Sequence, residues 1–550
     1  MTAIREFALE ATRKYLQSVV FVDDMIYQAE TSKPMAVVEG PQMASVFKKP
    51  APSAAPSTAA VVAAPAAAAT SGTEGEPEAP PYHPKQLVES FAKERMVCAL
   101  YEPAKGFASG PDSELFRLCE RADVVILDWD LYNEDGKNIL PLIAGLVSDS
   151  QTTVPHHVRL CAIYTTKPDL VRVTSQIYDH LKKEKLQVEA HELMLTAGAS
   201  RIVVLGKPTT GRPEHQKTKA EVSETDLADR IIREFAGMHE GILPSAALYG
   251  MGAVRTSSKK ILDKFSADMD GAFLVHRALL LPADDAYEQL PELLAEEALA
   301  LMMDNRFPAD LAARLSDEAI ESRNIKLQLP LKDKRPKLAD GTIAVNILKG
   351  GLRSVEKDFD TDKQKGLTSL LHEAMGANAN ATNMRLAALF STRTSYSGRK
   401  DLTFGTVVRD LGEKSDFLLC LMPLCDSIRL SSKAGKSYSF PFWKLRADNC
   451  GAPSRGIVVK TPDGVHRELF VLGRPRDQLQ MITFSATVSG TVVAVQKDGK
   501  HVLTTASSDL EWICQLKPNH AQRIAQDVGG SFARIGLVEA EWLRLKSERG

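Results

Sequence analysis

Three acidic side chains in this sequence follow short apolar segments, at the point where a buried strand would end. Asp23 and Asp24 come directly after Val19–Val22, and Asp128 comes directly after Val124–Leu127. Carboxylates gathered at one site repel one another unless a cation is bound, and hard oxygen ligands of this kind suit Mg²⁺. With a cation there, one carboxylate can act as a nucleophile toward a phosphoryl group, because the cation neutralises charge on the incoming donor.

A hydroxyl and an ammonium group end two further apolar segments. Thr165 follows Val158–Tyr164, and Lys207 follows Ile202–Gly206. An ammonium group neutralises a phosphoryl oxygen, and a hydroxyl donates a hydrogen bond to another. The alternative is that these polar residues only cap helices, since Asp and Thr are good N-caps.

A parallel sheet would bring these side chains together at the carboxyl ends of its strands. Between residues 19 and 238, apolar segments alternate with segments of helical period, which indicates a doubly wound α/β fold with a parallel sheet covered on both faces. In such a sheet, ligand groups gather beyond the carboxyl ends of the strands. The predicted strands are five: Val19–Val22, Met96–Leu100, Val124–Leu127, Val158–Tyr164 and Ile202–Leu205.

The residues at the strand ends resemble those of the receiver domains of two-component response regulators, from Val19 to about Met238. The motifs that carry the resemblance are Asp23-Asp24, Leu127-Asp128-Trp129-Asp130 with Gly136 beyond it, Thr165, Lys207-Pro208 and the step Ala197-Gly198-Ala199. The resemblance implies a flavodoxin-like fold and a histidine kinase as phosphoryl donor.

The resemblance also assigns roles to individual residues. Asp128 is implied to accept the phosphoryl group. The implied Mg²⁺ ligands are the side chains of Asp23, Asp24 and Asp128 and the backbone carbonyl of Asp130. Thr165 and Lys207 are implied to sense the phosphoryl group.

The sequence departs from the receiver pattern at three places. Val204 stands three residues before Lys207, where receivers usually carry an aromatic side chain, and Lys167–Ser200 is longer than usual. An insertion at about 30–84 interrupts the loop after the first strand. Its centre, residues 51–70, holds eleven Ala and three Pro, a composition that predicts a disordered tether.

The rest of the chain changes character twice. Residues 1–240 are predicted to form the receiver with its insertion, 241–400 a mainly helical region, and 401–550 a β-rich α+β domain. One helix face is predicted from Leu290, Leu293, Leu294, Ala298 and Leu301. Two hairpins are predicted at Asp463-Gly464 and Asp498-Gly499.

Composition narrows the class of protein. The formal net charge is −2 over 550 residues, so no global attraction to nucleic acid or to an anionic membrane is built in. Seven Cys, an odd number and widely scattered, do not have the pattern of a disulfide framework, which favours a reducing compartment. The chain has no apolar run of membrane-spanning length, so we expect a cytoplasmic protein with no membrane partner. Composition does not indicate an oligomeric state.

Three functions stay open at this level. The first is a phosphorelay protein that signals through its C-terminal region or buffers phosphate. Residues 417–427 and 534–537 resemble, loosely, receiver proteins of Detocs-type bacterial anti-phage two-component systems. That second resemblance implies a role in antiviral defence, with another receiver-containing effector protein as partner.

The other two functions have less support. A DNA-binding transcriptional regulator would use the helix-turn-helix spacing of Ala525, Gly529 and Ile535, but Arg534 is the one cation of its reading segment, so nucleic acid is not an expected partner. An enzyme with its active site in residues 240–550 would need a nucleophile–base pair or metal motif, and none is recognised there. Beyond self-phosphotransfer, we expect no enzymatic activity.

Overall fold

A computed structural model gives the fold and divides the chain into two compact units, Met1–Ser322 and Arg323–Gly550. The predicted tether lies outside the described residues, apart from its last two positions, and so does Ile535. The three-part division of the sequence stays a prediction. The described residues are 2–26, 83–151, 157–280, 285–307, 309–322, 341–351, 354, 379–395, 398–412, 415–431, 436–447, 455–471, 478–487, 490–505 and 508–532.

The described part of the N-terminal unit contains a seven-stranded sheet in the order β2-β1-β3-β4-β7-β6-β5. Its strands are β1 Ser18–Val22, β2 Val97–Tyr101, β3 Val124–Leu127, β4 Arg159–Thr165, β5 Glu189–His191, β6 Met194–Ala197 and β7 Ser200–Gly206. Strands β1 to β4 and β7 run parallel, which confirms the doubly wound sheet.

Two strands were not among the five predicted. Strands β5 and β6 are antiparallel and extend the sheet beyond β7. Both lie inside Lys167–Ser200, the segment that is longer than in the receiver pattern. A tight turn with Gly198 at a φ of +64° joins β6 to β7. The extra length therefore forms a hairpin at the sheet edge.

Apolar side chains cover both faces of this sheet. On one face they pack against α3 to α5, and on the other against α1, α2 and α7. The helices are α1 Ala3–Tyr15, α2 Pro84–Lys93, α3 Glu114–Glu120, α4 Ile139–Gln151, α5 Leu170–Lys183, α6 Glu214–Ala220 and α7 Leu227–Met238. Strands β3 and β4 are buried along their whole length, which explains why Val124–Leu127 and residues 160–164 are continuously apolar.

A helical extension belongs to the same unit. It consists of α8 Ile242–Leu262, α9 Asp270–Leu279, α10 Asp285–Asp304 and α11 Ala309–Glu321. Helix α8 packs along α1, and the guanidinium of Arg255 donates to both carboxylate oxygens of Asp123 at 2.8 and 3.0 Å. Leu293 and Leu294, predicted for one apolar face of α10, are 50% and 47% exposed.

The described residues of the C-terminal unit form a ten-stranded sheet. Its strands are β8 Thr392–Arg393, β9 Thr406–Asp410, β10 Phe417–Cys420, β11 Tyr438–Arg446, β12 Arg455–Lys460, β13 His466–Val471, β14 Leu479–Phe484, β15 Val495–Lys497, β16 Lys500–Thr504 and β17 Asp509–Leu516. Both predicted hairpins are confirmed, because β12 pairs with β13 and β15 with β16 across their Asp-Gly turns.

The helices of this unit include one on which the DNA-binding alternative depends. They are α12 Gly341–Gly350, α13 Ala379–Ser391, α14 Leu424–Ser427 and α15 Pro518–Phe532. Helix α15 packs Ala521, Ile524 and Val528 into the core. It continues through Gly529, so the turn that a helix-turn-helix would place there is not formed. Within the described parts of both units, no helix is long and apolar enough to cross a membrane.

Candidate metal and phosphoryl site

The parallel register brings the predicted site residues to one edge of the sheet. Val22 lies opposite Leu127, and the N–H of Asp128 donates to the carbonyl of Val22 at 2.9 Å. On the other side, the last residue of β4, Thr165, lies opposite Gly206, the last residue of β7. Each predicted residue therefore follows or ends one of four strands whose ends meet.

Three carboxylates form a compact cluster at this edge. Ligand oxygens of Asp23, Asp24 and Asp128 lie within 4.8 Å of one another, and all three residues are buried. The ammonium of Lys207 lies 2.6 Å from Asp23 Oδ2 and 3.4 Å from Asp128 Oδ2. Three negative charges and one positive charge leave this cluster with a net charge of −2, which is the charge that one divalent cation balances.

The electrostatic strain is visible in the pKa values. Burial raises the pKa of Asp128 to about 6; the carboxylates of Asp23 and Asp24 add to the rise, and the Lys207 ammonium opposes it. Burial likewise raises the pKa of Asp24, with a contribution from Asp23. For Lys207, burial favours a lower pKa, but the two contacting carboxylates outweigh burial and raise the pKa. The cluster holds its ionised carboxylates at a cost.

Local hydrogen bonds hold the carboxylates of Asp23 and Asp24, whereas one oxygen of Asp128 has no such bond among the described residues. Asp23 Oδ1 accepts from the N–H of Met25 at 2.9 Å, and Asp24 Oδ2 accepts from the N–H of Tyr132 at 2.7 Å. Asp128 Oδ1 is buried and has no hydrogen-bond partner among the described residues. A buried carboxylate oxygen without a partner is costly unless it binds a ligand. The donor set and this oxygen fit a hard divalent cation such as Mg²⁺.

Thr165 and Asp130, the remaining predicted site residues, make hydrogen bonds of their own beside the carboxylate cluster. The fully buried hydroxyl of Thr165 accepts a hydrogen bond from the N–H of Lys167 at 3.2 Å. The backbone carbonyl of Asp130, predicted as a metal ligand, accepts from the N–H of Asn133 at 3.0 Å. Because a carbonyl has two lone pairs, this bond leaves room for a second partner. The ligand role of Asp130 stays a prediction.

Sequence reasoning missed two cations beside the site. Lys167 Nζ lies 2.8 Å from Asp130 Oδ2 and 3.3 Å from Asp135 Oδ1, which ties the loop after β3 to the loop after β4. Its position two residues after Thr165 was the available signal. Arg212 lies buried behind the strand ends, in a polar loop whose sequence carries no comparable signal.

The comparison with protein families agrees with this geometry. Residues 15–212 match the family model described as a response receiver domain. The N-terminal unit contains a receiver domain. Searches of curated proteins and of solved structures return no match to the chain. A receiver domain supports a role in two-component signalling.

The structure shows the surroundings of Val204, which stands where receivers usually carry an aromatic side chain. Val204 is 1% exposed and packs into the apolar core on the side of α3 to α5. No aromatic ring can therefore swing inward from this position. The nearest aromatic along the neighbouring strand is Tyr164, whose buried hydroxyl donates to the carbonyl of Val222 at 2.8 Å.

Proposed function

We propose that this protein is a phosphorelay component whose receiver domain takes a phosphoryl group from a histidine kinase onto Asp128. The observation that carries the proposal is the buried carboxylate cluster with Asp128 Oδ1 left without a partner among the described residues. A receiver domain implies a donor such as a histidine kinase. The cluster would hold Mg²⁺ through Asp23, Asp24, Asp128 and the backbone carbonyl of Asp130, and the protein would act in the cytoplasm.

The chain's own residues supply the chemistry of transfer. A carboxylate oxygen of Asp128 attacks phosphorus, and the bond from phosphorus to the donor breaks as the new O–P bond forms, with the electron pair leaving on the donor. Lys207, already 3.4 Å from Asp128, would then contact a phosphoryl oxygen. Thr165 would donate its hydroxyl proton to a second oxygen. Bound Mg²⁺ would neutralise charge on the phosphoryl oxygens.

For the output, we propose interaction with another protein, or phosphate buffering, rather than DNA reading. Helix α15 forms no turn at Gly529, which removes the motif on which DNA binding rested. The loose resemblance to Detocs-type proteins makes anti-phage defence the setting to test first, with a second receiver-containing effector as the partner.

The test of the proposal is Mg²⁺-dependent labelling of the full chain by radioactive acetyl phosphate. We expect wild type to incorporate label only with Mg²⁺, and Asp128→Asn to incorporate none. Asp112→Asn removes an exposed carboxyl of the same domain and serves as the matched control. Equal labelling of wild type and Asp128→Asn, or no labelling of wild type, would contradict the proposal.

A further inference from the structure

A buried arginine lies behind the phosphoryl site and belongs to none of the predicted roles. Arg212 is in the loop between β7 and α6, and its side chain is fully buried. Its Nη1 donates to the carbonyl of Lys207 at 2.7 Å and to Glu221 Oε2 at 2.6 Å. Its Nη2 donates to the carbonyls of Thr165 and Lys167 at 3.2 and 3.0 Å. One guanidinium therefore joins two strand-end loops.

The contacts are with the backbone of the residues that would bind phosphoryl oxygens. Thr165 and Lys207 are also joined directly, because the N–H of Lys207 donates to the carbonyl of Thr165 at 2.8 Å. Arg212 adds a planar fork, which fixes several acceptors relative to one another with little freedom of rotation. The side chains of Thr165 and Lys207 thus extend from backbone segments that Arg212 holds in fixed relative positions.

The surrounding sequence leaves room for this guanidinium. A Cβ at Gly206 would overlap the Arg212 side chain, so any larger residue at this last position of β7 would displace it. Glu221, which pairs with Arg212, is held beside Gly206 by a parallel bridge, and the N–H of Val222 donates to the Gly206 carbonyl at 2.9 Å. The buried charge is therefore paired with Glu221 and hydrogen-bonded through both Nη atoms, which offsets the cost of its burial.

We propose that Arg212 is a positioning residue of the phosphoryl site. The inference rests on the proposed function of Asp128. Through the carbonyls of Thr165, Lys167 and Lys207, Arg212 sets where the Thr165 hydroxyl and the Lys207 ammonium lie relative to the Asp128 carboxylate. Arg212 itself does not touch the phosphoryl group.

The contacts of Arg212 predict a specific pattern of effects. No contact that the structure gives for Arg212 involves Asp23, Asp24 or Asp128. Its replacement should impair the handling of the phosphoryl group without weakening Mg²⁺ binding. A residue that merely stabilised the fold would affect both together or neither.

The test compares two buried arginines in the full-length protein. Arg212→Lys keeps the charge beside Glu221 but loses the fork. Arg159→Lys is the matched control, because Arg159 is equally buried and holds the carbonyls of Leu146 and Glu120. Arg159 begins β4, and six residues of strand place it about 20 Å from Thr165. The readouts are the initial rate of labelling by acetyl phosphate at saturating Mg²⁺ and the Mg²⁺ affinity by calorimetry.

We expect Arg212→Lys to lower the labelling rate by about tenfold or more, as misplaced reacting groups do, without loss of Mg²⁺ affinity. We expect Arg159→Lys to label at the wild-type rate. Wild-type labelling of Arg212→Lys, or parallel loss of labelling and Mg²⁺ affinity, would overturn the positioning role alone. Failure of wild type to label would overturn the proposed function and this inference with it.

A second variant keeps the inference testable where Arg212→Lys does not fold. The double replacement Arg212→Gln with Glu221→Gln removes the buried guanidinium charge and the half-buried carboxylate that pairs with it together, so neither is left unpaired. We expect the same loss of labelling without loss of Mg²⁺ affinity. A folded double variant that labels at the wild-type rate would refute the role of Arg212.

Discussion

Lys207 contacts two of the three carboxylates that would hold Mg²⁺, so it competes with a cation for their oxygens. The same ammonium is the group that would neutralise the phosphoryl oxygen. Replacing Lys207 by Met should therefore have opposite effects on two measurements. We expect tighter Mg²⁺ binding by calorimetry, because the competing charge is gone, and labelling by acetyl phosphate lowered about tenfold or more.

The matched control for Lys207→Met is Lys167→Met. Lys167 pairs with the side chains of Asp130 and Asp135 and not with the three clustered carboxylates. Its replacement should leave Mg²⁺ affinity unchanged. If Lys207→Met bound Mg²⁺ more weakly than wild type, competition between the ammonium and the cation would be ruled out.

Asp128 should destabilise the Mg²⁺-free protein. With its pKa raised to about 6 from 3.8, the ionised carboxylate is disfavoured in the folded state at pH 7. Asp128→Asn should therefore raise the free energy of unfolding by roughly 1–3 kcal/mol without Mg²⁺. The difference should shrink as the pH falls through 6 toward 3.8, because folded wild type then takes up the proton.

Thermal unfolding of the full chain with and without Mg²⁺ measures this effect. Added Mg²⁺ should stabilise wild type by binding to the folded state, and should stabilise Asp128→Asn less. A variant that is less stable than wild type in the absence of Mg²⁺ would show that repulsion within the cluster is not a net cost.

The sequence predicts the residues whose side chains would contact the ligand. It does not predict a residue whose side chain binds backbone carbonyls of the site. Asp23, Asp24 and Asp128 are recognisable because they follow apolar strands in the order of the receiver pattern. Arg212 could not be found in this way, since its acceptors are mostly carbonyls, which every residue has. Only the folded chain shows that those carbonyls belong to Thr165 and Lys207.

The loop after β3 is an element with an unusual backbone. Tyr132, Asn133, Asp135 and Gly136 all have positive φ values, between 47° and 82°. The indole N–H of Trp129 donates to Asp135 Oδ1 at 3.1 Å, and a Cβ at Gly136 would overlap the buried indole ring. Gly136 is thus needed both for its φ and for space.

We predict that Gly136→Ala lowers the free energy of unfolding by about 2–4 kcal/mol, because it combines a strained φ with displacement of Trp129. Gly198→Ala is the matched control: its φ of +64° is also positive, but a Cβ there meets nothing within 4 Å. It should cost only about 1 kcal/mol. Chemical denaturation of both variants provides the comparison, and equal costs would mean that the contact with Trp129 is unimportant.

The strands and helices were predictable where their burial requires a pattern of apolar residues in the sequence. The five parallel strands are apolar because helices cover both faces of the sheet. Strand β5, Glu189–His191, is exposed along its whole length, so no hydrophobic period marks it. Leu293 and Leu294 mislead in the opposite direction, since their spacing suggests burial but both side chains are about half exposed. The other members of that predicted face, Leu290, Ala298 and Leu301, are half-buried.

Within the N-terminal unit, the helical extension and the receiver domain share an apolar core. Phe7 of α1 is 1% exposed, and its ring lies 5.3 Å from that of Phe307 and 5.7 Å from that of Tyr249. Leu311 and Leu315 belong to the same apolar cluster. A receiver cut at the sequence-based boundary of residue 240 would lose these four apolar residues from around Phe7.

We therefore predict that residues 1–322 form a stable fragment that labels with acetyl phosphate like the full chain, and that residues 1–240 do not match its stability. Loss of the shared core should cost the shorter fragment roughly 3–5 kcal/mol. That loss corresponds to a fall on the order of 10 °C in the midpoint of thermal unfolding.

Phe7→Ala tests whether the shared core is the cause. It should destabilise residues 1–322 strongly and residues 1–240 little, because a contact already lost cannot be lost again. Equal effects of Phe7→Ala in the two fragments would show that Phe7 acts within the receiver domain alone, and the boundary at residue 240 would then be the better division of the chain.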